Sequence, residues 1–393
     1  MSLCSRSRLQ IETTYIHEAQ MIKRVAILGT NGGSLLAPNL VRGLNEIGEN
    51  VGNALFQFAL SRKISNPKIF VHPSKLKAEE VRERADVLVI PAANQINPAW
   101  DLGGWAEFIE SCDLPVACVG LGAQTGKNET EITNLKPGTI RFAKVLSERC
   151  KAIGVRGNFT ANVLEQMGIT NVVVTGCPSQ TINPDASGRN IQRLLDGYSE
   201  IEHPKIAHVF GTMEAETRAA EKVLSRLIGE HDHVTVYQTD KKILNLIHSR
   251  QFLDEEDRNF FDWLRGVLHP SLNLDQYVQY VINNGRFYSD ARTWIDSMSR
   301  FDLVIGMRIH GAVAAIQSGK LGVCVAFDSR TLELASTMGY PYVHVEEVET
   351  AESLTDILGK VVFDAARFNH LKVKNTEKIY TILEDAGCLI ETH

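Results

Sequence analysis

The sequence predicts an α/β protein built as two Rossmann-like, doubly wound parallel-sheet domains facing a cleft. Three observations carry that expectation: the chain length, the alternation of short apolar runs with helical patterns, and a polar break near the middle. A chain of 393 residues, 44% of them hydrophobic, is long enough for two cores of ordinary size, whereas one core of that extent is disfavoured. Short apolar runs separated by helical segments imply a parallel sheet covered by helices on both faces.

The first run, 24–29, ends in glycine, and similar runs recur at 87–90, 116–119, 152–155 and 172–175. Helical patterns lie between several of them, clearest at 139–149 and at 158–167, where Asn158 reads as the cap. These elements place a first domain at 21–190. The stretch 179–188 is rich in Ser, Asn, Asp, Pro and Gly, the chemistry of a loop between elements, and a short helix follows over 191–197. A second domain, 200–345, opens with a strand at 205–210 and a helix at 213–227, with further strands at 234–238, 303–305 and 323–327. The tail, 351–393, is helical in pattern to about residue 384 and is expected to pack back across one domain.

Composition narrows the function. A formal net charge of −6 without a Lys/Arg-rich run argues against nucleic acid as partner, since neutralising phosphates needs clustered cations. The seven cysteines are odd in number, never spaced as CxxC, and mostly within apolar stretches, which suits free core thiols in a reducing compartment. Residues 1–20 hold no apolar core of signal-peptide length, and no window approaches the roughly 18 to 20 apolar residues of a membrane span. A cytoplasmic protein is expected. His231 and His233 lack a nearby acidic or thiol ligand and read as polar residues before a strand, so no metal site is assigned.

In open parallel sheets, ligands bind beyond the carboxyl ends of the strands. There lies the most informative stretch, 301–311, in which a buried strand ends at Gly306 and a helix starts near His310. If the intervening segment is extended, Arg308 and His310 point to the same side, Ile309 points inward, and both polar residues address one ligand. The following helix N-terminus favours a bound phosphate or carboxylate. The competing account is that both merely cap the strand end. Arg156 stands in the equivalent place after the 152–155 run, and its planar fork suits an oxyanion, though a surface salt bridge is the plainer use. Asp328 and Arg330 follow the 323–327 strand; Asp328 could accept a sugar hydroxyl or its proton, or else cap the helix 331–338. The turns 29–34 and 48–53 match neither dinucleotide nor P-loop spacing, leaving Gly52 and Asn53 as a backbone nest or as ordinary turn residues.

Together these residues resemble the polysaccharide pyruvyl transferase family, most clearly from about residue 24 to 340. One signature runs from Gly154-Val-Arg156 through 164–168 to 174–178; the more specific one is 302–311, an Arg-x-His-Gly element after an apolar strand, then a small-residue helix and a strand leading to a basic residue that Arg330 matches. Asn53 and Cys177 stand where acidic residues are frequent in that family. The resemblance implies a GT-B-like fold and transfer of pyruvate from phosphoenolpyruvate to a sugar hydroxyl pair as a ketal, with no cofactor and no metal. The acceptor would be a free sugar, a lipid-linked sugar or an oligosaccharide, bound on the first domain, with phosphoenolpyruvate on the second; a homo-oligomer is compatible. Under this reading His310, Arg308 and Asp328 are catalytic, and Arg156, Arg330, Gly311, Gly52 and Asn53 bind substrate. His310 would be the acid/base because histidine titrates near neutrality. Two alternatives stand beside it: a nucleotide-sugar glycosyltransferase of the same fold, and a non-catalytic relative keeping the cleft as a glycan-binding surface.

Overall fold

A computed structural model of the protein describes residues 22–34, 40–124, 132, 134–251 and 254–391. The expectation for residues 1–20 lies outside these described residues. Two parallel sheets of six strands each organise them. The first holds β1 (Val25–Leu28), β2 (Lys68–Val71), β3 (Val87–Pro91), β4 (Val116–Leu121), β5 (Ile153–Val155) and β6 (Val172–Val174) in the order β2-β1-β3-β4-β5-β6. The second holds β7 (Lys205–Val209), β8 (Asp232–Val236), β9 (Gly285–Arg286), β10 (Leu303–Gly306), β11 (Leu321–Ala326) and β12 (Tyr342–His344) in the order β12-β11-β10-β7-β8-β9. Every pairing is parallel.

Both orders reverse direction once, between β1 and β3 in the first sheet and between β7 and β10 in the second. Such switch points leave a crevice at the carboxyl ends of the two strands. The central strands β1, β3, β4, β10 and β11 are buried along their whole length, which is why they read as unbroken apolar runs. The strands absent from the sequence-based expectation, β2, β9 and β12, are all edges of their sheets. An edge strand needs no second apolar face, and β2 and β12 carry exposed residues to match.

Two helices tie the sheets together. Asn53–Lys63 gives Leu60 to a core with Val25, Ile27, Val87 and Val89, while its Leu55, Phe56 and Phe58 pack in the large core around the second sheet. The last helix, Ala365–Ala386, places Ile379, Ile382 and Leu383 against the same face of the first sheet.

Some expectations need correction. The helix expected from residue 213 spans Arg218–Ile228, and three helices not anticipated, Lys241–Ser249, Glu255–Leu268 and Leu274–Asn284, fill the crossover from β8 to β9. Asn158 is the first residue of helix Asn158–Gln166 rather than its cap. The free N–H groups at that terminus are met by the carboxylate of Glu333 from the second half of the chain, which accepts from Phe159 N and Thr160 N. Among the described residues no helix is long and apolar enough to cross a membrane.

Candidate functional site

Arg308 is a single extended residue (φ −96°, ψ 105°) between the end of β10 and helix Ile309–Gln317, so His310 already lies in the helix's first turn. The expected extended run is therefore shorter, yet Arg308 and His310 still line one cavity while Ile309 packs into the core. Arg308 donates from Nη2 to the Gly211 carbonyl at 3.3 Å and to Thr239 Oγ1 at 3.0 Å, and its buried Nε has no partner. Burial, followed by repulsion from Arg330, brings its guanidinium down to about 10.

Across the same cavity stands Arg156, just past β5 and only 4% exposed. Its Nε donates to Gly120 O at 3.0 Å and its Nη1 to Asn94 Oδ1 at 2.8 Å, leaving buried Nη2 unpartnered. Arg330, in the first turn of helix Ser329–Met338, reaches Gln124 Oε1 at 3.3 Å and Asp328 Oδ2 at 3.3 Å. Gln238, just beyond β8, adds an amide whose oxygen and nitrogen are both buried without partners. Among the described residues, none that lines the cavity is acidic. Orphaned buried donors are costly and rare in folded proteins, and this cavity gathers several of them.

His310 is 7% exposed. Burial first, then Arg156, Arg330 and Arg308, push its imidazole down to about 3, so it is neutral at physiological pH. The expectation of a group titrating near neutrality is corrected by this field. The Phe56 ring lies between the halves of the site, 5.9 Å from His310 and beneath Arg156 at 5.8 Å.

The model of the polysaccharide pyruvyl transferase family matches residues 31–329, a span that contains every residue of this cavity except Arg330, Thr331 and Leu334. The chain belongs to that family. No curated protein matches its sequence significantly. Among solved structures, S. aureus MnaA with UDP is 12% identical, covering 92% of this chain and 97% of the other at a TM-score of 0.42. The UDP-GlcNAc 2-epimerase of Neisseria meningitidis bound to UDP-GlcNAc is 10% identical over 92% and 99%, at 0.43. The two-domain fold of this transferase rests on its own two sheets rather than on those likenesses.

Other anticipated residues of the transferase fall into place differently. Asp328 caps helix Ser329–Met338, accepting from Thr331 N at 2.7 Å and Thr331 Oγ1 at 2.6 Å. Its second oxygen lies on Arg330, and it is not among the residues lining the cavity, so in this structure it serves as cap and anchor. Gly311 is not at the cavity either: its N–H bonds the Arg308 carbonyl, and a side chain there would strike Val209. It permits close packing of helix on strand. At Gly52, by contrast, a Cβ would sit 2.8 Å from His310 Nδ1 and 2.6 Å from Gln238 Oε1, so the missing side chain leaves room beside the imidazole. Asn53 lines the cavity but spends its amide on the Ile47 and Gly48 carbonyls.

Cys177 is buried behind the site, 4.0 Å from His310 Nε2, with Ser179 Oγ donating to its sulfur at 3.0 Å. The described cysteines are all free thiols. His233 bonds the His231 carbonyl and Tyr280 OH, and among the described residues no three His, Cys, Asp or Glu side chains converge as a metal site. Asn94, Gln238, Thr239 and Phe56 were missed from the sequence. Only the rule that strand carboxyl ends bear ligands pointed to the first three.

Proposed function

We propose that this transferase moves the pyruvyl group of phosphoenolpyruvate onto two hydroxyls of a sugar, closing a pyruvate ketal during polysaccharide synthesis. The observation that supports this most is the pair of unpartnered buried donors, Arg156 Nη2 and Arg308 Nε, on a cavity with no carboxylate among its described lining residues. Phosphoenolpyruvate brings a phosphate and a carboxylate on the same carbon, and Arg156, Arg308 and Arg330 offer planar forks for both. The site chemistry uses no cofactor and no metal in this reading, the anionic charge being met by arginine alone. The acceptor is a sugar, free, lipid-linked or within an oligosaccharide.

Donor binding changes His310. The ligand's negative charge offsets the repulsion from the three arginines, which adds to burial in lowering the imidazole, so its proton affinity rises in the complex. Protonated His310 gives its proton to the methylene carbon, and the adjacent carbon becomes electrophilic. One sugar hydroxyl adds there and its proton returns to His310. The carbon–oxygen bond to phosphate then breaks with that proton passing to phosphate, and the second hydroxyl closes the ketal while reprotonating His310. Of the two hydroxyl protons, one ends on the new methyl group and one on phosphate. The arginines stabilise the departing phosphate where its charge grows.

Thermal unfolding tests the donor. Phosphoenolpyruvate at one hundred times its dissociation constant should stabilise the protein by about 2.7 kcal/mol, whereas NAD and ATP should leave the melting temperature unchanged, because the turns at 29–34 and 48–53 lack the phosphate-cradling spacing. A shift from a nucleotide sugar with none from millimolar phosphoenolpyruvate would overturn the reading.

A further inference from the structure

We propose that Glu221 and His208, a buried pair behind β7, position Arg308 for the donor anion by holding the Gly211 peptide, and that Glu221 supplies the guanidinium's counter-charge from outside the cavity. The proposal rests on the phosphoenolpyruvate reading of the site above.

Glu221 lies in helix Arg218–Ile228 and is 0% exposed; His208 on β7 is 2% exposed. Glu221 Oε2 and His208 Nε2 are 3.0 Å apart, without the alignment of a hydrogen bond. The other carboxylate oxygen accepts the Gly211 N–H at 2.6 Å. The carbonyl of the same residue accepts from Arg308 Nη2 at 3.3 Å. A side chain at 211 would begin 2.7 Å from Glu221 Oε1 and 2.7 Å from Met307 Cβ, so the carboxylate reaches the backbone only because glycine is there.

Burying a carboxylate is unfavourable without nearby positive charge and hydrogen bonds. Glu221 touches neither substrate space nor Arg308 directly. A carboxylate placed against Arg308 would consume the donors that the anion needs. Set one residue behind, it polarises the peptide that grips Nη2 and favours the charged guanidinium through space, while Nε stays free toward the cavity. The charged groups that act on Arg308 are Arg330, which opposes its charge, and Glu221, Glu214 and Asp328, which favour it. Glu214 is exposed and Asp328 is committed to its helix cap and Arg330. Glu221 is the one held in the interior.

The test measures binding of phosphoenolpyruvate, with inorganic phosphate in parallel, against pH for the unmodified protein, Glu221→Gln and Glu214→Gln. Burial already brings Arg308 down to about 10, and losing Glu221 lowers it further, so the cation is lost as pH rises through a lower value. Glu221→Gln should bind phosphoenolpyruvate much as the unmodified protein does near pH 7, about twofold more weakly near pH 9 and about fivefold more weakly near pH 10, as a drop of about one unit in the ionisation constant requires. Glu214→Gln should follow the unmodified curve. A Glu221→Gln curve parallel to the unmodified one, with only the melting temperature lowered, would make Glu221 a purely structural residue and overturn the proposal. Failure of the unmodified protein to bind phosphoenolpyruvate while phosphate still shows the Glu221-dependent limb would sink the donor assignment alone; failure to bind either anion would sink both. Should Glu221→Gln not fold, Glu221→Asp keeps the charge but withdraws it from the Gly211 N–H. Phosphoenolpyruvate binding should then weaken about fivefold at every pH, roughly the worth of one hydrogen bond, and unchanged binding would overturn the proposal.

Discussion

A buried imidazole beside three guanidinium groups is held neutral. His310, pushed down to about 3 by burial and then by Arg156, Arg330 and Arg308, therefore affects stability as well as chemistry. In the unfolded chain a histidine takes up its proton near pH 6.5, while the folded site refuses it until about pH 3. Stability from this group is complete above pH 6.5 and is lost as pH falls toward 3, because protons bind the unfolded chain first. The melting temperature should thus decline between pH 7 and 4, and His310→Gln should decline less steeply; parallel slopes would show that the imidazole is not held neutral. At neutral pH the same variant should lose about a hundredfold or more in turnover, the usual scale for a missing acid/base, with little change in phosphoenolpyruvate binding. Turnover within a few-fold of normal would assign the proton to another group.

At the scale of elements, two glycines separate packing from site. Gly311→Ala drives a methyl group into Val209, so helix Ile309–Gln317 must shift, at a stability cost of about 1–3 kcal/mol. Gly52→Ala fills space beside His310 Nδ1, Gln238 Oε1 and Asn50 Oδ1, and should reduce turnover far more than melting temperature. Calorimetry and steady-state rates on both variants check this, and the reverse pattern would exchange their roles. Asp328→Ala should cost about 1–2 kcal/mol as a lost helix cap, with a smaller effect on rate than His310→Gln.

The same elements show what the sequence could convey. Arg156 and Arg308 were legible because each ends a strand buried on both faces, whose apolar run is unmistakable. Asn94 and Gln238 follow strands too, but a neutral amide in a loop has no distinctive pattern. The edge strands β2, β9 and β12 gave weak signals because half their surface need not be apolar. Glu333 capping a helix 174 residues away, and Glu221 acting through Gly211, are products of folding that no local spacing encodes. Asp328 shows a different limit: a cap and a catalytic carboxylate look alike in sequence, and only the structure shows its bonds to Thr331.

At the scale of the molecule, the cavity is lined from both halves of the chain, with Arg156 and Asn94 beyond the first sheet and Arg308, His310 and Gln238 beyond the second. Helix Asn53–Lys63, packed into the cores of both sheets, holds those walls together and inserts Phe56 between them. The most direct measurement is product analysis after incubation with phosphoenolpyruvate and a sugar bearing two neighbouring free hydroxyls, alongside a parallel incubation with nucleotide sugars. We expect inorganic phosphate and a pyruvate ketal to form in equal amounts, both lost in His310→Gln, with no nucleotide released from the sugar donors. Nucleotide release without phosphate or ketal would contradict pyruvyl transfer as the activity of this site.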